Sequence, residues 1–125
     1  MFVQRGTARA GTPPANTVQS PLHVIKLDGF IDIARYPEFR DLFERIPHGA
    51  VLVDLSDAEG VDSIFLSELL LFKRRHVGRV AVLIPEHGLL WRVFEIAGIG
   101  RRLDVFTQRK DALRALDQPD WQAIS

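Results

Sequence analysis

The residues with the clearest potential for chemistry are Asp62 and Ser63, an acid and a hydroxyl that stand side by side. They precede an apolar, helix-forming stretch, so we expect them at a helix N-terminus, where Asp and Ser are favoured capping residues. Free N–H groups and the helix dipole stabilise an anion at such a position. A serine without a neighbouring base is a poor nucleophile, but it can accept a phosphoryl group from a kinase. A purely structural helix cap is the alternative.

The other acids and the histidines do not form a catalytic set. Asp54, Asp57 and Glu59 lie close together, but paired carboxylates need a cleft to act as catalysts, and we predict a solvated loop. The sequence holds no phosphate-binding loop, dinucleotide fingerprint or zinc-protease motif. We therefore predict no enzyme activity, no metal and no cofactor. The histidines are isolated, which favours solvated or capping roles, and they are His23, His48, His76 and His87.

Charge and composition exclude several function classes. The chain has 125 residues, the length of one domain. Its 16 basic residues balance 16 acidic ones, and nucleic-acid-binding domains usually carry a basic excess, so we expect no direct nucleic-acid binding. Without cysteine, disulfides and Cys-ligated metals are excluded. No apolar run approaches the roughly 20 residues of a membrane span, so we expect a cytoplasmic protein with no such span.

Glycine, proline and hydrophobic spacing divide the chain into three parts. Residues 1–21 predict a flexible leader that begins with a short edge strand, residues 22–117 the domain, and residues 118–125 a tail. Apolar runs predict strands at residues 22–27, 50–55, 79–84 and 103–106. Apolar residues at helical spacing predict helices at residues 37–46, 62–75, 88–97 and 110–116, and residues 56–61 read as a loop.

The order of these elements predicts the fold class. Strands alternate with helices, which favours an α/β fold with a mostly parallel or mixed sheet. Residues 50–55 are mostly apolar, which is typical of a central strand covered on both faces. Residues 22–27 alternate, which predicts one partly wet face. We predict a small, mostly parallel sheet of four to five strands, with helices packed mainly on one side.

Residues 24–116 also resemble the STAS domain, the family named for sulfate transporters and anti-sigma factor antagonists. Residues 27–32 (LDGFID) look like its early Leu-x-Gly-x-Leu-Asp motif, and residues 53–56 (VDLS) look like its central strand. Residues 61–66 (VDSIFL) are similar to its Asp-Ser-Ser/Thr-Gly-Leu helix start. Segments that look like its C-terminal half follow in order at 80–85, 90–98, 103–106 and 111–113. The resemblance implies a mostly parallel sheet with an antiparallel N-terminal edge strand.

The same resemblance implies a regulator that works by binding another protein. Soluble members of the family bind an anti-sigma factor that is also a serine kinase, and so free the sigma factor. The kinase inactivates its antagonist by phosphorylating the serine that follows the Asp, and a metal-dependent phosphatase reverses this. By position, the implied phosphorylation site is Ser63. The implied partner-binding residues are Asp28, Asp32, Asp62, Ser63, Ile64 and Phe65.

Two other functions stay open at this point. Ile64 and Phe65 stand where the family has small residues, which favours a constitutive STAS adaptor that docks on a transporter ATPase or another signalling partner. In such an adaptor Ser63 would make a fixed hydrogen bond. An enzyme or a small-ligand or nucleotide binder is the third possibility, because one fold hosts many functions.

Overall fold

The computed structural model describes residues 2–4 and 22–117, so most of the predicted leader and the tail lie outside the described residues. The strands are β1 (Phe2–Gln4), β2 (Leu22–Lys26), β3 (Gly29–Ile31), β4 (Ala50–Asp54), β5 (Ala58–Val61), β6 (Val80–Leu83) and β7 (Asp104–Phe106). The helices are α1 (Tyr36–Arg45), α2 (Ser63–Arg75), α3 (Leu89–Ile96) and α4 (Arg109–Ala115). Within the described ranges no helix has the length and apolar character needed to cross a membrane.

Five strands form one mixed sheet in the order β1-β2-β4-β6-β7. β1 runs antiparallel to β2, and the other neighbours are parallel. Each connection from β2 onward advances by one strand, so connections of the same hand place their helices on one face. The predicted α/β fold with a mostly parallel sheet is confirmed, and so is the antiparallel N-terminal edge strand.

Hydrophobic side chains cover both faces of this sheet, because alternate residues of a strand point to opposite sides. α1, α2 and α3 pack on the face that includes Val51 and Val53. α4 packs on the other face, which includes Ala50 and Leu52. Three of the four helices thus lie on one side, as predicted. The residues that α1, α2 and α3 bury are Phe39, Phe43, Phe65, Leu69, Phe72, Leu90 and Phe94.

Phenylalanine rings join α1 to α2. The Phe43 and Phe72 rings stack with centroids 4.8 Å apart, and the Phe39 and Phe65 rings meet edge to face at 5.1 Å. Such pairs stabilise a core by about 0.5–1.5 kcal/mol beyond their area burial. This packing fixes the position of α2, whose N-terminus carries Ser63.

Two sequence predictions about the strands are wrong. The predicted loop over residues 56–61 contains β5, which pairs in parallel with β3 as a separate two-stranded sheet. Glycines at positions 29 and 60 remove the side-chain alternation that would have indicated these strands. The wet face predicted for residues 22–27 is also wrong, because the first four residues of β2 are all buried and thus both of its faces are covered. His23, for which a solvated or capping role was predicted, is accordingly only 5% exposed.

The contact between Gly78 and Gly49 yields a stability prediction. Gly78 has a φ of +134°, and a Cβ there would overlap the carbonyl oxygen of Gly49. We expect Gly78→Ala to lower the free energy of unfolding, measured in urea, by at least about 1–3 kcal/mol. Gly100→Ala is the matched control, since a Cβ at that position meets nothing within 4 Å. Equal effects of the two substitutions would contradict the prediction.

Candidate functional site

Asp62 fixes the start of α2. Its carboxylate accepts the backbone N–H of Phe65 at 2.9 Å, as a helix N-cap does. Its own N–H donates to the carbonyl oxygen of Ile31 at 3.1 Å, which ties the helix start to β3. The predicted helix start is confirmed. Because Asp62 is the cap, the hydroxyl of Ser63, the first residue of α2, is left on the exposed surface.

The two bulky residues after Ser63 point in different directions. Phe65 is fully buried against Phe39 and belongs to the same buried helix face as Leu69. The expectation that Phe65 contacts a partner is therefore wrong, because its side chain lies inside the core. Ile64 is turned away from that face and is 37% exposed. Of the two departures from the family pattern, only Ile64 flanks Ser63 at the surface.

Parallel pairing of β3 with β5 brings Asp32 next to Asp62. Ile31 and Val61 are register partners, and each is followed directly by one of these aspartates. The Asp32 carboxylate accepts the N–H of Ala34 at 3.0 Å and starts a short 3-10 turn, as Asp62 starts α2. Two capped turns therefore begin side by side where the parallel strands β3 and β5 end. Asp28 precedes β3 and lies four residues before Asp32, which is about 13 Å along an extended strand.

Exposed apolar side chains lie near these strand ends, and the sequence analysis did not include them in the site. Phe30 is 50% exposed and Ile33 is 61% exposed. The Phe30 ring lies over Gly60, where a Cβ would come within 2.8 Å of the ring. The signal available in the sequence was an aromatic residue flanked by glycine in a short strand. We call the following set the Ser63 surface: Phe30, Asp32, Ile33, Asp62, Ser63 and Ile64.

The acids predicted to lie in a solvated loop divide into two groups. Asp54 is buried at the end of β4, which corrects that prediction for this residue. It accepts the N–H and the hydroxyl of Ser56 at 2.9 and 2.6 Å and lies 3.5 Å from Arg109. Asp57 is exposed and pairs with Lys26 at 2.8 Å, which raises the pKa of that lysine. These contacts join β2, β4 and α4, so Asp54 is structural.

The histidines and the wider charge pattern add no metal centre to the described part of the chain. In residues 2–4 and 22–117 no three His, Asp or Glu side chains are grouped as ligands. His76 follows α2 as its C-cap, and its Nε2 lies 2.7 Å from the carbonyl oxygen of Gly49. This matches the capping role predicted for isolated histidines.

Burial predicts opposite outcomes for the neighbours Ile64 and Phe65. We expect Phe65→Ala to lower the free energy of unfolding by about 3–5 kcal/mol, because it leaves a cavity between α1 and α2. Ile64→Ala removes a side chain that is 37% exposed and is expected to cost less than about 1 kcal/mol. Urea denaturation of both variants measures this. A larger loss for Ile64→Ala would contradict the structure.

The pair formed by Arg35 and Glu38 yields a prediction about pH. The hydrogen bond from Arg35 lowers the pKa of the Glu38 carboxyl, and this outweighs desolvation. The pair therefore stabilises the fold above the unfolded pKa, about 4.3, and this contribution is lost as pH falls through the lower folded pKa. NMR titration of the Glu38 carboxyl should show the depressed pKa, and Arg35→Met should return it toward the ordinary value. An unchanged pKa in that variant would contradict the assignment.

Comparisons of the chain with protein-family models, with curated proteins and with solved structures found no match in any of the three. The STAS resemblance therefore depends on the motifs quoted above, and the function it implies is a proposal.

Proposed function

We propose that this protein is a cytoplasmic regulator of the anti-sigma factor antagonist type, which binds an anti-sigma factor kinase and is switched by phosphorylation of Ser63. The observation that carries the proposal is the exposed Ser63 hydroxyl, directly after the Asp62 cap, on a surface with apolar residues. The motifs similar to the STAS family supply the partner class. Asp32 and Asp62, from two of those motifs, lie next to each other where β3 and β5 end.

The apolar content of the Ser63 surface supports protein binding. Phe30, Ile33 and Ile64 expose between 37% and 61% of their area to solvent. Burying such area against a partner contributes about 25 cal/mol per Å², and exposed apolar patches rimmed by polar residues mark interaction sites. Carboxylates of Asp32 and Asp62 form such a rim. The surface therefore has the composition of a docking site.

The position of Ser63 explains how a phosphoryl group would act as a switch. It would add about −1.5 to −2 charge next to the Asp62 carboxylate, which already occupies the cap at 2.9 Å from the Phe65 nitrogen. Two anions then compete for one helix N-terminus. A partner that covers Ile64 would also have to desolvate the phosphate. Both effects weaken docking, while the core beneath Phe65 stays in place.

The adaptor function is the second candidate, and Ile64 is the observation that favours it. The branched apolar side chain of Ile64 beside Ser63 restricts the access of a kinase active site to the Ser63 hydroxyl. Phe65 does not restrict this access, because its side chain is buried. An adaptor would keep Ser63 unmodified and would co-purify with an ATPase, whereas the antagonist would co-purify with a sigma-factor regulator.

The modification itself can be tested by intact mass. We expect wild-type protein from its own host to carry one phosphoryl group in a fraction of molecules and Ser63→Ala to carry none, because Ser63 is the exposed acceptor. Ser67→Ala is the matched control, since Ser67 is exposed on the same helix, and it should keep the modification. Absence of any mass gain across growth conditions would overturn the switch and favour the adaptor.

The effect of charge on docking can be tested with Ser63→Asp. We expect affinity for the co-purified partner to fall by at least about tenfold, which is 1.4 kcal/mol. The free energy of unfolding should change by less than about 0.5 kcal/mol, because Asp62 remains the cap. Ser67→Asp is the control and should bind as wild type does. Wild-type affinity of Ser63→Asp would reject the switch.

A further inference from the structure

The small sheet that carries Phe30 is too short to be rigid by itself. β3 has three residues and β5 has four. Isolated two-stranded pairs are marginally stable in water. Phe30 and the turn after Asp32 nevertheless make up half of the Ser63 surface, so contacts outside the strand pair must hold β3 in place.

The register shows which backbone groups of β3 need a partner. Gly29 donates its N–H to Asp57 at 3.2 Å, and Ile31 accepts the N–H of Asp62 at 3.1 Å, so Gly29 and Ile31 face β5. In a strand the intervening residues present their backbone groups to the opposite edge. The carbonyl groups of Asp28 and Phe30 therefore point away from β5, along the outer edge of the small sheet.

Arg35 occupies that outer edge. Its Nη1 donates to the carbonyl oxygens of both Asp28 and Phe30, the second at 3.3 Å. On its other side, Nε and Nη2 donate to the two carboxylate oxygens of Glu38 at 2.8 and 3.1 Å. Glu38 lies in the first turn of α1. One planar guanidinium thus connects the edge of β3 to a helix packed on the main core.

This geometry requires arginine. A guanidinium has five N–H donors in a fixed plane, so it can bind a carboxylate on one side and carbonyl groups on another. A lysine ammonium is a compact charge without that plane. The hydrogen bond with Glu38, followed by the charges of Glu38, Asp28 and Asp32, raises the pKa of Arg35 against desolvation. The side chain stays charged throughout the physiological range.

We propose that Arg35 is a positioning residue of the Ser63 surface: it holds β3, and with it Phe30 and Asp32, in the conformation that a partner meets. Ordering a loop during binding costs free energy, and an arrangement fixed in advance avoids that cost. This last step rests on the proposed docking function. The effect of Arg35 on the small sheet does not.

Hydrogen exchange tests the structural step without a partner. The amides of Gly29 and Asp62 report the β3–β5 pairing, and those of Val51 and Leu55, which donate to Arg79 and Leu83, report the main sheet. In Arg35→Met we expect exchange at Gly29 and Asp62 to be at least about tenfold faster, with Val51 and Leu55 unchanged, as for local opening. Unchanged exchange at Gly29 and Asp62 would overturn the proposal.

Two further variants separate guanidinium geometry from charge and from general surface effects. Arg40→Met removes a comparable arginine, whose guanidinium binds Glu44 at 3.0 Å and the Tyr36 hydroxyl at 2.8 Å, both within α1. Its exchange pattern should equal that of wild type. Arg35→Lys keeps the charge and should loosen the small sheet as Arg35→Met does. Full protection in Arg35→Lys would overturn the requirement for a guanidinium.

The phosphorylated fraction of Ser63 in the host tests the functional step. We expect Arg35→Met to reduce it at least about threefold relative to Arg40→Met, because the kinase meets a disordered surface. An equal fraction in the two variants, with the small sheet loosened, would overturn the positioning role. If wild type carries no phosphoryl group, the proposed switch fails, and the exchange experiment alone decides whether Arg35 holds β3.

Discussion

The arrangement of the candidate site depends on Asp62, which is bonded both to a strand and to a helix. Its N–H binds Ile31 in β3, and its carboxylate caps α2 at the N–H of Phe65. The first bond holds the start of α2 next to the last residue of β3. The second sets the rotation of the first turn, so that Phe65 enters the core and Ser63 faces solvent. Together with the β3–β5 pairing and the packing of α2 on α1, these two bonds fix Ser63 relative to Asp32.

The main sheet provides the rigid support for this arrangement. All five residues of β4 are buried, including the Asp54 carboxylate, because three helices cover one face and α4 covers the other. A buried carboxylate is tolerated only when it is paired and hydrogen-bonded, and Ser56, Lys26 and Arg109 meet this need. The chain leaves the sheet at this point to form β5. The charged cluster therefore anchors the segment that leads to Ser63.

The two elements that carry the site, α2 and β3, differ in how firmly they are packed against the rest of the protein. α2 is anchored by the stack of Phe43 on Phe72 and by Phe65 on Phe39. β3 has no comparable aromatic anchor, since Phe30 lies on the outer side over Gly60. Ile31 buries its side chain in the core, but polar contacts hold the outer edge of β3, and hydrogen bonds at a surface contribute less than core packing does. The small sheet is therefore the part of the surface most sensitive to a single side chain.

The sequence by itself determined where α2 begins, whereas the pairing of β3 with β5 and the burial of individual side chains were decided by the tertiary structure. Helical spacing of apolar residues located α2 with Asp62 and Ser63 at its start, since a helix repeats every 3.6 residues and caps have strong residue preferences. Glycine-containing β3 and β5 carry no such pattern, so their pairing and the exposure of Phe30 could not be predicted, and only the STAS resemblance grouped Asp32 with Asp62. Burial of Phe65 and Asp54 depends on which helix covers which face. Those outcomes are set by contacts between residues distant in sequence, which no local pattern encodes.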